Sequence, residues 1–245
     1  MNATQIKILL FVLMVLNHFC VVFKGNISHE LYLIIGYVSR VVAPVFWFLS
    51  VESYYKTQRK KRYLVHLFSF AILMSVGNYA LNALFVGNGL PAMQQPFNIF
   101  WSLALGVAMI AGLEQSKNPV LSGHAQSAFF ILASMAWCSL LFVEGDVYAM
   151  VAYPIFYWFW GQKKCLYIAY ALACLCLLVY TYYTQDGFFQ DGQYGWLMVL
   201  AIAWFWAYNG RRGSASKLAK YFFYIGYPLH AWLLYVVWAF QTGSP

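Results

Sequence analysis

Residues 6–23 read IKILLFVLMVLNHFCVVF, an apolar run interrupted only by Lys7 and by the pair Asn17–His18. As a helix the run is about 27 Å long, close to the ~30 Å hydrocarbon core of a bilayer. Lys7 and His18 stand eleven residues apart, which places them on one helical face, roughly 16 Å apart along the axis. An imidazole inside a membrane-spanning helix is costly, and such a residue is a functional candidate by default.

The rest of the chain extends this reading. Of its 245 residues, 63% are hydrophobic, 21% aromatic and 9% charged, whereas a soluble domain carries about 25% charge. The composition excludes a water-soluble globule. No basic stretch precedes the first apolar run and no A-x-A-like site follows it, so the run is expected to be retained as an anchor. Further apolar runs fall at Leu31–Tyr55, Tyr63–Phe85, Phe97–Leu113, Gln126–Val143, Val147–Trp160, Cys165–Tyr183, Tyr194–Tyr208 and Tyr221–Phe240. The expected fold is all-α: a polytopic membrane bundle of about nine helices forming one membrane-embedded domain over residues 1–245. The sixth and eighth runs are short for full spans.

Charge gives an orientation. Lys56, Arg59, Lys60, Lys61 and Arg62 follow the second run, Lys117 the fourth, Lys163 and Lys164 the sixth, and Arg211, Arg212, Lys217 and Lys220 the eighth. The odd-numbered connections hold Lys24 with Glu30, then no charge, then Glu144 and Asp146, then Asp186 and Asp191. By the positive-inside rule the even connections and the N-terminus are cytoplasmic. Two readings fit the basic clusters: topology anchors on lipid headgroups, or a dock for a phosphate-bearing cytosolic cofactor. Nucleic acid is not an expected partner, because the positive charge sits in short loops between spans. Cys20, Cys138, Cys165, Cys174 and Cys176 form no CxxC and no zinc-like cluster, so neither a disulfide framework nor a metal is expected.

Few polar residues lie where a membrane makes them expensive. In SRVVAPVFWFLSVES, Arg40 is about 14 Å from the outer end of the second run. Pro44 has no N–H for the carbonyl of Arg40. Glu52 reads as the one acid within a run, roughly 18 Å from Arg40 on the same helix. It faces two roles, cofactor contact or a partner for the nearby cations. In YFFYIGYPLHAWLLY, Pro228 frees the carbonyl of Tyr224, and His230 follows near mid-depth. It reads either as an interhelical donor or as part of a shared site with His18 and Arg40 on two proline-interrupted helices. Asn78, Asn82 and Asn98 fit packing or a polar cavity equally. The turns at Asp146–Tyr148 and Asp191–Tyr194 suit interfacial anchoring; the alternative for Asp146 and Tyr148 is contact with a substrate from outside.

These residues together resemble the TraX family: L-N-H at Leu16–His18, R-x-x-x-P ending in Glu52, N-I-F at Asn98–Phe100, the acid–Tyr turn at Asp146–Tyr148, and Y-P-L-H at Tyr227–His230. TraX is associated with N-acetylation of conjugative pilin, and its relatives include fimbrial assembly proteins of the FimB type. The spacing of Lys7 and His18 is also similar to the acyltransferase-3 group, with Lys in place of the usual Arg. The resemblance implies acyl transfer, with acetyl-CoA as cytosolic donor, in the bacterial inner membrane. The implied acceptor is an amine such as a pilin N-terminus, or a glycan or lipid. The implied roles are His18 as general base, with Arg40 and His230 polarising the thioester carbonyl. Lys7, Glu52, Lys60, Lys61, Arg62, Arg211 and Arg212 are assigned to the cofactor, and Asn17, Asn98, Asp146 and Tyr148 to the acceptor. The competing reading is a transporter or a non-enzymatic pilus-assembly protein, since interrupted helices with freed carbonyls also serve transport.

Overall fold

A computed structural model describes residues 1–93, 97–184, 194–214 and 216–242. Every regular element among them is helical. The helices are α1 (Ala3–Val22), α2 (His29–Ser39), α3 (Val42–Lys56), α4 (Lys60–Gly87), α5 (Ile99–Ser116), α6 (Gly123–Ser139), α7 (Asp146–Trp158), α8 (Lys163–Thr184), α9 (Ala201–Ala207) and α10 (Lys217–Thr242). Among the described residues, seven stretches are long and apolar enough to cross a membrane: α1, α2 continued by α3, α4, α5, α6 with its short extension, α8 and α10. The chain is built as an integral membrane protein. The two runs expected to be short, α7 and Gly195–Ala207, fall below the spanning length.

The second run is two helices rather than one. It stops at Arg40–Val41 and restarts at Val42, which places Pro44 in the first turn of α3. There its missing N–H would have had no helical partner anyway. Pro228 behaves differently, because α10 runs through it without a break. The expectation of two proline-interrupted helices is therefore corrected to one. Serine and asparagine set several starts: Asn2 accepts from the Gln5 N–H in a capping box, and Ser28 and Ser122 cap α2 and α6.

The chain divides into two compact units. The first comprises residues 1–42, 72–97 and 189–245; in it α1 packs against both α2 and α10. Phe85, Tyr235 and Ala239 form a buried cluster with Val22, Leu81 and Met93 around it. At the opposite end of α1, the Ala3 N–H donates to the Arg211 carbonyl at 2.9 Å and Thr4 Oγ1 to the Arg212 carbonyl at 3.1 Å. The N-terminus and the 209–214 loop thus share one side, as the charge alternation requires.

The second unit comprises residues 43–71 and 98–188, arranged about α5, which packs against α6 and α7. Its interior is specified by polar contacts as well as bulk. The Trp47 indole N–H donates to Ser102 Oγ at 3.1 Å, and Ser50 Oγ lies 3.2 Å from the Tyr153 hydroxyl. Gly106 and Gly145 make room for the rings of Tyr153 and Trp47, and Gly145 also takes φ +102°, a conformation suited to glycine. On α6 the side chains of Phe130, Ile131 and Leu132 are exposed, a face suited to lipid.

Candidate functional site

His18 lies one turn before the end of α1 and is 3% exposed. Its Nδ1 is 2.8 Å from Nε2 of His230 on α10. His230 Nδ1 lies 2.9 Å from the Gly226 carbonyl one turn earlier. That contact fixes the protons, because a carbonyl only accepts and His230 must therefore carry its proton on Nδ1. In the neutral ring Nε2 is then the acceptor, and His18 donates to it from Nδ1. The His18 lone pair is left on Nε2.

Aromatic rings box the pair in. Phe97 lies flat on His18, centroids 3.8 Å apart and planes 5° apart. Tyr227 meets the edge of both imidazoles, and Phe11 packs edge-on against His230. Asn17 and Ser39 join α1 to α2, with Ser39 Oγ donating to Asn17 Oδ1 at 2.8 Å. These two immediately neighbour His18 and Arg40, so the tie links the histidine's helix to the arginine's. The Arg40 guanidinium is held 4.5 Å over the Tyr194 ring, an arrangement worth about 0.5–2 kcal/mol. Its Nε is buried without a hydrogen-bond partner among the described residues. Lys7 sits near the other end of α1, its ammonium 6.0 Å from the Phe223 ring centroid, away from His18. Arg211 and Arg212 are exposed.

The remaining expected residues belong to the second unit. Glu52 is buried and paired with Lys56 on its own helix. Lys60 is bound to Glu114 at 2.8 Å, and Glu114 also accepts from the Tyr54 hydroxyl at 2.7 Å. The expectation that Glu52 is the one acid within a run is therefore corrected, because α5 continues past Leu113 to include Glu114. Lys61 and Arg62 are exposed. Asn98 is buried, its side-chain amide donating to the Ala71 carbonyl at 2.9 Å and its backbone N–H to Glu144 at 2.8 Å. Asp146 is exposed and Tyr148 half-buried at the start of α7. The similar turn at Asp191 lies outside the described residues.

The family profile described as "TraX protein" matches residues 2–238. The chain belongs to the TraX family. It is 23% identical over 239 residues to a protein of Dichelobacter nodosus named "Probable fimbrial assembly protein FimC, serogroup H1", covering 95% of this chain and 94% of that one. No solved structure matches. In this TraX-family chain the L-N-H and Y-P-L-H motifs meet through their histidines, and Tyr227 of the second motif packs on both rings. Sequence reasoning assigned neither Phe97 nor Glu114 to the site, and read Tyr194 as the aromatic of the Asp191 turn rather than as a partner of Arg40. Phe97 opens an apolar run like many other aromatics here, and nothing in the pattern distinguishes it. Glu114 was detectable as an acid one residue beyond an apolar run.

Proposed function

We propose that this protein is an acyltransferase of the bacterial inner membrane, moving an acetyl group from cytosolic acetyl-CoA to an amine at or across the membrane, such as a pilin N-terminus. The single observation that carries the reading is the buried His18 imidazole whose free lone pair is fixed on Nε2 by the His230–Gly226 contact. Amine attack on the thioester forms the C–N bond and moves charge onto the carbonyl oxygen. The ammonium proton passes to His18 Nε2, the C–S bond breaks, and the departing thiolate takes that proton back from the His18 imidazolium. Arg40, steadied on Tyr194, supplies donors for the oxyanion. His230 has both nitrogens engaged in this arrangement, so its role here is to orient His18 and share the charge of its imidazolium, rather than to polarise the carbonyl.

The exposed Arg211 and Arg212 suit the donor's phosphates. From that end of α1 to His18 is about 22 Å, a distance for the flexible arm of the donor to cover. Lys61 and Arg62 keep the role of topology anchors. The spacing of Lys7 and His18 supports kinship with the acyltransferase-3 group, and family membership together with the relative's printed name supports an acceptor within the pilus machinery. The same name favours one alternative, a non-enzymatic assembly partner.

Labelled acetyl-CoA and purified protein in nanodiscs decide between them. His18→Ala is expected to lose about 10²- to 10⁴-fold in turnover, the usual contribution of a general base. Wild-type protein with no donor binding and no turnover on amine, glycan or lipid acceptors would overturn the proposal.

A further inference from the structure

His230 fixes one edge of the His18 ring; a second set of contacts fixes its face. Asn78 on α4 is buried at 7% exposure. Its Oδ1 accepts from the Trp232 indole N–H at 2.8 Å, and its Nδ2 donates to the Phe97 carbonyl at 3.1 Å. Indole only donates and a carbonyl only accepts, so the orientation of the amide is determined by its partners. Phe97 is the residue that lies parallel on His18 at 3.8 Å. It precedes the first turn of α5 and lies outside any helix, so its backbone carbonyl needs a partner from elsewhere in the fold.

Trp232 is two residues beyond His230 on α10 and crosses α4 at Gly77, where a Cβ would overlap its ring. One helix therefore acts on His18 twice: through His230 at the Nδ1 edge, and through Trp232, Asn78 and Phe97 at the ring face. We infer that Asn78 is a positioning residue for His18, holding Phe97 flat on the imidazole so that the Nε2 edge is the direction from which a reacting group approaches. The inference rests on His18 as the base, and it concerns the geometry of the ring whether or not the transferred group is acetyl.

The test reads His18 directly. Protein in nanodiscs is treated with diethyl pyrocarbonate, and the modification rate at His18 is followed by mass spectrometry, with the exposed His124 as internal control. Asn78→Ala, Trp232→Phe and Phe97→Leu are expected to raise the His18 rate about 2- to 10-fold, the weight of one net hydrogen bond, and to leave His124 unchanged. Phe97→Tyr keeps the ring and is expected to behave as wild type. In the labelled acetyl-CoA assay the three disruptive variants are expected to lower kcat by a similar factor with KM for the donor unchanged. Folded Asn78→Ala and Trp232→Phe proteins with wild-type His18 rates would overturn the inference. Should Asn78→Ala fail to fold, Trp232→Phe and Phe97→Leu decide it by the same reading. A changed modification rate in a protein without turnover would leave the positioning role standing and remove the acyltransferase.

Discussion

His230→Ala removes the acceptor of the His18 Nδ1–H from a site where His18 is 3% exposed. A buried donor left without a partner costs about 1–3 kcal/mol, and the released ring can place its lone pair on either nitrogen. If that cost falls on the step in which His18 takes the proton, kcat drops about 5- to 150-fold at 1.36 kcal/mol per tenfold. That range only touches the lower end of the loss of about 10²- to 10⁴-fold expected for His18→Ala, because the base itself survives. His230→Gln offers a carbonyl oxygen in place of Nε2 and is expected to recover part of the loss. The assay is turnover of labelled acetyl-CoA in nanodiscs, with kcat and KM separated. Wild-type kcat in His230→Ala would refute the orienting role. A loss equal to that of His18→Ala, with no recovery in the glutamine variant, would return His230 to the chemistry as a direct donor to the carbonyl.

Two further outcomes follow from the fold. Gly106→Ala places a methyl against the buried Tyr153 ring and is expected to destabilise the second unit by about 1–3 kcal/mol, measured as a lowered melting temperature in detergent; an unchanged melting curve would contradict the packing of α5 on α7. In a cysteine-free background, single cysteines at Arg62 and Arg211 are expected to label from the cytoplasmic side and one at Ile27 from the outside. Labelling of position 62 from outside would reverse the orientation and move the donor's side with it.

Much of this was legible along the chain. Composition and run length gave a helical membrane protein, because crossing hydrocarbon imposes a local requirement on each segment. Pro44 marked the interruption beside Arg40, and the alternation of basic loops agrees with the contact between the N-terminus and the 209–214 loop. His18 and His230 stood out singly, since each is an expensive group in an apolar run. Their meeting was not legible: they are 212 positions apart, and hydropathy does not say how a helix is rotated toward its neighbours. That rotation sets Nδ1 of one ring against Nε2 of the other and puts Phe97 over the face. It also decided which Pro-containing segment broke. In the second run the chain restarts with Pro44 in a first turn, where no N–H is missed, while α10 carries Pro228 within a continuous helix. The sequence by itself determined that a histidine stands within the first membrane helix; only the tertiary structure decided that it is buried and which of its nitrogens carries the lone pair, because both depend on how that helix is turned toward the carbonyl and imidazole of the last helix.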